Sequence, residues 1–364
     1  MAHSNAAATR FTMVQVPTTV GLDLSDQVSH FHVVRGDGRT LGAGKVTNCR
    51  DDLSKLFERW RGCRLVMEVG GHSPWISRFA RASGMEVIVA NPRCVELVTK
   101  SDRKTDRSDA EKLARLGKYD VELLGPVTHR SAQAQAHLAV RDARDTAVTM
   151  RGMLINFVRG KLKSVGSRAP SCSPECFAKR VAGHIPQELE LALRPMLQLL
   201  ERINQQIKGF DQQIERLCEE LYPVTKLLQQ IPGVGPIVSL AFVLTIDDPK
   251  RFRSRALGPY LGMVPRQKSS GDSNPKLHIT KAGDRAMRRL LVLSANYILG
   301  RFGPDCDLRR FGLKIAGNGS PANKKRARVA VARKLAVLMH RLWRTGEQYD
   351  PLYLAKKRDE LALA

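Results

Sequence analysis

Ten apolar residues, Leu189, Leu193, Met196, Leu200, Ile203, Ile207, Phe210, Ile214, Leu217 and Leu221, step by four and three in alternation. A period of 3.5 residues draws one seam along a long helix, and an exposed seam of this kind needs a partner. The partner is either a second copy of the chain or the other long helical pattern, residues 132–165, folded back as an intramolecular hairpin. Pro195 marks a helix start or a kink, so the cleaner coiled coil runs over 196–221.

Upstream of the seam the period shortens. Residues 20–24, 28–34 and 41–46 are apolar runs parted by turn residues such as Gly36-Asp37-Gly38, and they predict a three-stranded antiparallel meander. A helical pattern follows through Leu53, Leu56, Phe57 and Trp60. Then come a strand over 65–69, a helix over 75–82 and a strand over 86–90. Three strands followed by alternating helix and strand is the order of an α/β domain of the ribonuclease-H-like kind.

Four acids acquire a meaning in that order. Asp23 interrupts the first strand and Glu68 the fourth. Asp106 and Asp109 stand three apart where a helix begins that continues through Leu113, Ala114 and Leu116. A carboxylate inside an apolar strand is costly unless it is paired or liganded. Two like charges on one helix face repel, although a helix start eases them and a divalent cation would make both useful. Each acid alone reads as an ordinary solvated or paired group. As an ordered set they form the oxygen-rich site that Mg²⁺ or Mn²⁺ ions need to clamp a phosphodiester. Asp26, Glu86 and Asp102 rank lower, since none lies in mid-strand or shares a helix face with a partner.

The net charge of +25 and the pI near 10.2 point to a polyanionic partner, nucleic acid first. The charge is uneven: residues 251–345 hold 22 Lys and Arg against 4 acids, so +18 of the total lies in the last third. Seven scattered cysteines form no CxxC pair, which suits reduced thiols in a cytoplasmic protein. The first twenty residues lack the apolar core of a signal peptide, and no apolar run is long enough for a membrane span.

Past Pro126 the pattern is helical, with Arg141, Arg144, Arg151, Arg159, Lys161 and Lys163 on the helix over 132–165. These read as a solvated face or as contacts to a nucleic-acid backbone. Residues 166–174, rich in Ser and Pro, form a linker or loop. In Ile231-Pro232-Gly233-Val234-Gly235-Pro236, Gly233 and Gly235 let the backbone approach closely and meet a phosphate at a helix start, in the manner of a helix-hairpin-helix element; plain close packing of helices is the competing reading. A polar loop over 266–274 holds Lys268 and Ser269-Ser270-Gly271, and the stretch after it brings Lys281, Arg285, Arg288 and Arg289. A loop serine is usually only that. Among so many cations, its hydroxyl could also attack a phosphodiester. A helix over 321–344 carries Lys324, Lys325, Arg326, Arg328, Arg333 and Lys334 around an apolar face of Val329, Ala332, Leu335, Ala336 and Met339. Lys324, Lys325 and Arg326 on its basic side, with Lys268, Lys281, Arg285, Arg288 and Arg289, are the expected contacts to nucleic-acid phosphates.

Gly21-Leu22-Asp23-Leu24-Ser25, Met67-Glu68-Val69-Gly70, Asn91-Pro92 and Lys104-Thr105-Asp106-Arg107-Ser108-Asp109-Ala110 resemble the N-terminal half of the IS110-type transposases, with their RuvC-like D-E-D-D set. Leu261-Gly262-Met263-Val264-Pro265, Ser269-Ser270-Gly271 and Ile279-Thr280-Lys281-Ala282-Gly283 resemble the C-terminal half. One departure is Gly71-His72-Ser73-Pro74-Trp75, where many relatives carry an aromatic residue sooner after the glutamate.

The resemblance implies a RuvC-like domain at 18–125, a helical coiled-coil region at 126–225, a mainly α transposase domain at 226–348 and a tail at 349–364. It implies a recombinase in which Asp23, Glu68, Asp106 and Asp109 hold metal while Ser270, or its neighbour Ser269, attacks the phosphate in a composite site. It also implies donor and target DNA as substrates, a structured bridge RNA as guide, and a homo-oligomer, dimer or tetramer, joined through the coiled coil. Two other readings compete: a RuvC-like Holliday-junction endonuclease needs the acids without the serine, and a non-enzymatic nucleic-acid scaffold needs neither. An actin-like ATPase, which also begins with a Gly-x-Asp strand, ranks last for want of a second glycine-rich phosphate loop.

Overall fold

The computed structural model describes residues 17–99, 106–270, 273–275 and 277–357, apart from the side chains of 96–99. Lys104, Thr105, Asp102, Gly271 and the end of the tail therefore lie outside the described residues. The chain divides into two compact units, one ending at His129 and the next beginning at Arg130.

The first unit is a mixed five-stranded sheet with helices on both faces. In chain order it comprises β1 (Thr19–Asp23), β2 (Val28–Val34), β3 (Thr40–Thr47), α1 (Arg50–Arg59), β4 (Arg64–Glu68), α2 (Ser73–Ala82), β5 (Glu86–Ala90), α3 (Pro92–Thr99) and α4 (Asp106–Tyr119). The strands lie in the order β3-β2-β1-β4-β5. β1 runs antiparallel to β2 and parallel to β4, and β4 runs parallel to β5. The meander and the strands that follow it match the pattern read from sequence.

Alternation along the strands decides which helix each face receives. Val20, Leu22, Leu65, Met67, Val87 and Val89 pack with Leu53 and Phe57 of α1 and with Ile76 and Ala80 of α2. Val66 and Ala90 point the other way, into a smaller cluster with Leu113 of α4. Because β4 and β5 are covered on both sides, Leu65-Val66-Met67 and Val87-Ile88-Val89-Ala90 are apolar without a break, and the charged residues stand at the strand ends.

The second unit is helical: α5 (Ala132–Ser164), α6 (Phe177–Ala182), α7 (Glu190–Glu220), α8 (Val224–Leu228), α9 (Pro236–Ile246), α10 (Leu257–Tyr260), α11 (Arg285–Leu299), α12 (Asp307–Ala316) and α13 (Pro321–Thr345). α5 and α7 pack antiparallel. Ile155, Val158 and Leu162 meet Leu193, Leu197 and Leu200, with Phe177 of α6 between them. At the other end, Ala134 and Leu138 meet Ile214 and Cys218 and reach Leu240 and Leu244 of α9.

The seam is thus filled inside the chain by the hairpin partner. Its buried row also drifts from the strict 3.5 period: Leu197 and Cys218 are buried, while Leu221 is half exposed. An unsupercoiled helix of 3.6 residues per turn slides in this way against a heptad register. Pro195 falls one turn inside α7 instead of at its start. Several α5 cations turn inward. Arg141 is buried with one nitrogen on its neighbour Asp142, whereas Arg144 pairs with Asp211 of α7 and Arg151 reaches Glu175 at 2.9 Å and Asn204 of α7 at 3.3 Å, so the last two join the hairpin and none of the three is a solvated face.

The remaining helices enclose the largest core, in which Phe242 and Leu291 meet Leu335, Ala336 and Met339. On α13 the apolar face is the expected one, widened by Ala327, Val331, His340 and Leu342. His340 is fully buried: its Nε2 donates to the Pro249 carbonyl at 2.7 Å and its Nδ1 accepts from the Ser254 hydroxyl at 3.0 Å. All seven cysteines are free thiols. Among the described residues no helix is long and apolar enough to cross a membrane.

Burial pushes the His340 imidazole below its ordinary value, and it does the same to His32 on β2, where Arg115 and Arg107 add to the effect against Glu111. Between the lowered and the ordinary value the unfolded chain binds protons that the fold refuses. Stability from these groups is full above the ordinary histidine value of 6.5 and is lost as pH falls toward the folded value. We expect the urea midpoint to drop between about pH 7.5 and about pH 5.5, and His340→Gln to flatten that slope. A midpoint equally pH-dependent in the variant would show that His340 does not contribute.

Candidate active site

Asp23 and Glu68 close adjacent parallel strands. The register runs from Thr19 opposite Arg64 to Leu22 opposite Met67, so the next residue on each strand is one of the two acids, at the carboxyl ends of β1 and β4. Alternation puts Thr19, Gly21 and Asp23 on one face of β1, and Arg64, Val66 and Glu68 on the same face of β4.

That face belongs to α4. A Cβ on Gly21 would lie 2.1 Å from the Ala110 carbonyl oxygen and 2.5 Å from the Ala114 nitrogen, and one on Gly117 would lie 2.3 Å from Val66 Cγ2. Arg64 Nη1 donates to the Gly117 carbonyl at 2.7 Å. Gly117 lies over Thr19 and Val66 while Ala110 lies over Gly21, so α4 runs antiparallel to β1. Its first turn, with Asp106 and Asp109, therefore starts at the end of the sheet where Asp23 and Glu68 stand.

Each helix acid has a basic neighbour. His30, the cross-strand partner of Asp23 on β2, places Nδ1 3.7 Å from Asp106 Oδ2, and that buried nitrogen makes no hydrogen bond. Lys112 Nζ donates to Asp109 Oδ1 at 3.1 Å. Asp23, Glu68 and Asp109 are half-buried, whereas Asp106 is exposed. Among the described residues, no three of His, Cys, Asp or Glu stand close enough together to hold one ion. The donors themselves, carboxylate oxygens gathered at one end of a sheet, are the type that a hard divalent cation takes.

His30 escaped the reading of the sequence. The signal available was its spacing from His32, which puts both imidazoles on the α4 face of an otherwise apolar strand. Glu86 lies at the opposite end of the sheet, 3.0 Å from Arg64, and Asp26 is 3.7 Å from His72 Nε2. Trp75 of the departing Gly-His-Ser-Pro-Trp step stacks on Phe79 and donates to His72 Nδ1 at 3.0 Å, just beyond the Glu68 strand.

In the second unit the polar loop is a two-stranded ribbon. Lys281 N donates to the Gly262 carbonyl, Thr280 N to that of Val264 and Arg266 N to that of His278. Further out, Ser270 and Ser273 exchange two N–H···O bonds of 3.1 Å across residues 271 and 272, which lie outside the described residues. Ser270 is exposed near the ribbon tip. Ser269 is exposed beside it, its hydroxyl 3.4 Å from Asn274 Oδ1.

Two glycines seat the base of the ribbon. Gly262 and Gly283 have φ of +65° and +69°, and a Cβ on either would overlap backbone at 2.2 Å (Ala282 O) or 1.9 Å (Tyr260 O). The Leu-Gly-x-Val-Pro and Thr-Lys-Ala-Gly segments are thus the two halves of one joint.

Of the cations expected to touch nucleic acid, Lys268, Lys281, Arg285, Lys324, Lys325 and Arg326 are exposed. Arg289 is exposed too but pairs with Asp145 of α5. Arg288 is turned inward: its Nη1 donates to the carbonyls of Leu261 and Ala282, and burial lowers its pKa. Gly233, with φ of +79°, is wedged against Ser294 and Tyr297 of α11, while Gly235 faces open space before α9.

Residues 20–166 match the family model described as a transposase, DEDD_Tnp_IS110, and residues 225–309 match that of the transposase IS116/IS110/IS902 family. Over 342 residues the chain is 31% identical to the transposase for insertion sequence element IS1111A of Coxiella burnetii, covering 91% of this chain and 90% of that protein. It is 29% identical over 291 residues to the transposase for insertion sequence element IS1328 of Yersinia enterocolitica, covering 78% and 84%.

Gly21→Ala would force α4 off β1, and overpacking of this kind costs about 1–3 kcal/mol. We expect a urea titration to show that loss, and exposed Gly160→Ala, within α5 with open space around it, to gain up to about 1 kcal/mol. Equal stability of Gly21→Ala and wild type would refute the contact.

Proposed function

The chain belongs to the IS116/IS110/IS902 family of transposases and acts on DNA, and from that premise we propose that Ser270 is its nucleophile and Asp23, Glu68, Asp106 and Asp109 its metal-holding set. The observation that carries the reading is the placement of the two strand acids and the first turn of α4 at one end of the sheet. The strand order β3-β2-β1-β4-β5 supports a RuvC-like domain over 18–125. In this reading 126–225 is a helical region, 226–348 the serine-bearing domain and 349–364 a tail.

The four carboxylates would hold Mg²⁺ or Mn²⁺, and that ion supplies Lewis-acid polarisation of the scissile phosphate when bound. The chain's own part is then transesterification. Ser270 Oγ forms a bond to phosphorus, the bond to one deoxyribose oxygen breaks, and that oxygen leaves as a hydroxyl with the serine proton. A hydroxyl of a second DNA strand reverses the step on the new partner and restores the serine. Bond number is conserved, so strands are exchanged without hydrolysis.

The exposed cations Lys268, Lys281, Arg285, Lys324, Lys325 and Arg326 suit contacts to backbone phosphates. A structured bridge RNA that pairs with donor and target DNA would leave the protein to read shape and backbone, and such a recombinase works as a homo-oligomer. Because the α7 seam is occupied by α5, self-association would use another face of the hairpin or a rearranged one.

Denaturing electrophoresis after incubation with DNA bearing the ends of the element should show a covalent protein–DNA adduct with the wild type and none with Ser270→Ala. Cleavage that survives Ser270→Ala but not Asp23→Ala would favour a metal nuclease instead. Asp106→Asn should lower adduct formation by at least about 100-fold, the scale on which electrostatic stabilisation acts; full activity would remove Asp106 from the site. Sequencing of RNA that copurifies with the chain tests the guide, and its absence from an active preparation would exclude one.

A further inference from the structure

Arg288 stands out among the cations expected to touch nucleic acid because its side chain serves the protein's own backbone, as Arg309 does at the Ile298 and Gly300 carbonyls. It lies four residues after Asp284, the N-cap of α11, whose Oδ1 accepts from the Met287 nitrogen at 2.9 Å. From that first turn Arg288 Nη1 donates to the Leu261 carbonyl at 2.9 Å and to the Ala282 carbonyl at 2.8 Å. These carbonyls belong to the two ends of the ribbon that carries Ser270, one just before Gly262 and one just before Gly283. Both glycines hold left-handed backbone and touch the opposite strand, so the base of the ribbon has no freedom to shift unless the clamp opens.

Asp284 is in turn held by Arg130, 3.0 Å from its other oxygen. Arg130 Nε also donates to the Thr245 carbonyl near the end of α9. A chain of hydrogen bonds therefore runs from the α9 terminus through the α11 cap to the foot of the ribbon. Beyond Arg266 the described residues of the ribbon make few backbone bonds and are exposed, so its aim is set at the foot.

We propose that Arg288 is a positioning residue for the strand-transfer reaction: it fixes the foot of the ribbon to α11 and so aims the Ser270 hydroxyl, without touching DNA itself. The inference rests on the reading of Ser270 as nucleophile only for its catalytic consequence; the clamp stands on the hydrogen bonds alone. Both hydrogens of Nη1 are committed to these carbonyls and the side chain is half-buried, unlike that of its exposed neighbour Arg285.

The test uses the full chain with Arg288→Met, which keeps an unbranched apolar stem and removes the donors, and Arg288→Lys, which keeps a charge but loses the planar fork. Hydrogen exchange without DNA should show faster exchange at the Thr280 and Lys281 amides in Arg288→Met, with α13 unchanged, and a smaller effect in Arg288→Lys. Adduct formation at saturating DNA should fall on the order of 100-fold in Arg288→Met, the cost of a misplaced reacting group, while affinity for random-sequence duplex stays within about twofold. Unchanged exchange at both amides in both variants would overturn the clamp. Weaker duplex binding with an unchanged adduct rate at saturation would make Arg288 a phosphate contact and also overturn it. Ser270→Ala measured beside them separates the two ideas: an adduct that persists there removes Ser270 as nucleophile, while the exchange result still decides the clamp.

Discussion

The first unit depends on a contact between two backbones. Gly21 has no side chain where Ala110 and Ala114 press on β1, and Gly117 has none where Val66 fills the space. Missing atoms on both partners let helix and strand approach more closely than side chains ordinarily allow, and that approach fixes the height and direction of α4. Since Asp23 lies two residues beyond Gly21 and Asp109 one before Ala110, the acids inherit their positions from this contact. Their arrangement follows from packing before any charge is considered.

Much of this was legible beforehand, and the reasons are physical. Strands covered on both faces must be apolar throughout, so Asp23 and Glu68 stood out against their runs. The meander was visible because turn residues interrupt β-branched segments at short intervals. α3 was not marked, because Asn91-Pro92 reads equally as a turn and as a helix start. The direction of α4 could not be read either, as periodicity gives a face but no orientation on the sheet.

The second unit was less legible. The heptad spacing between Leu189 and Leu221 announces a helix in need of a partner and leaves the partner's identity open. α5 fills that role, and inward-facing Arg144 and Arg151 show that charge on a helix is no proof of a solvated face. The ribbon was hidden for another reason. Its residues are polar and exposed, so no alternation betrays two strands, and it is the left-handed glycines at its foot that reveal them once the backbone is seen. Ser270 itself, exposed, carries no structural mark of the role proposed for it.

The first turns of α13 hold Lys324, Lys325, Arg326 and Arg328 with no acid among them, at the end of a helix where the peptide dipoles are themselves positive. Such crowding is unfavourable in the free protein. A polyanion laid across it would relieve repulsion as well as gain attraction, so the cations there couple occupancy to the solidity of the core beneath them. If DNA is held there, as proposed, the helix that closes the largest apolar cluster would be more stable in the bound form.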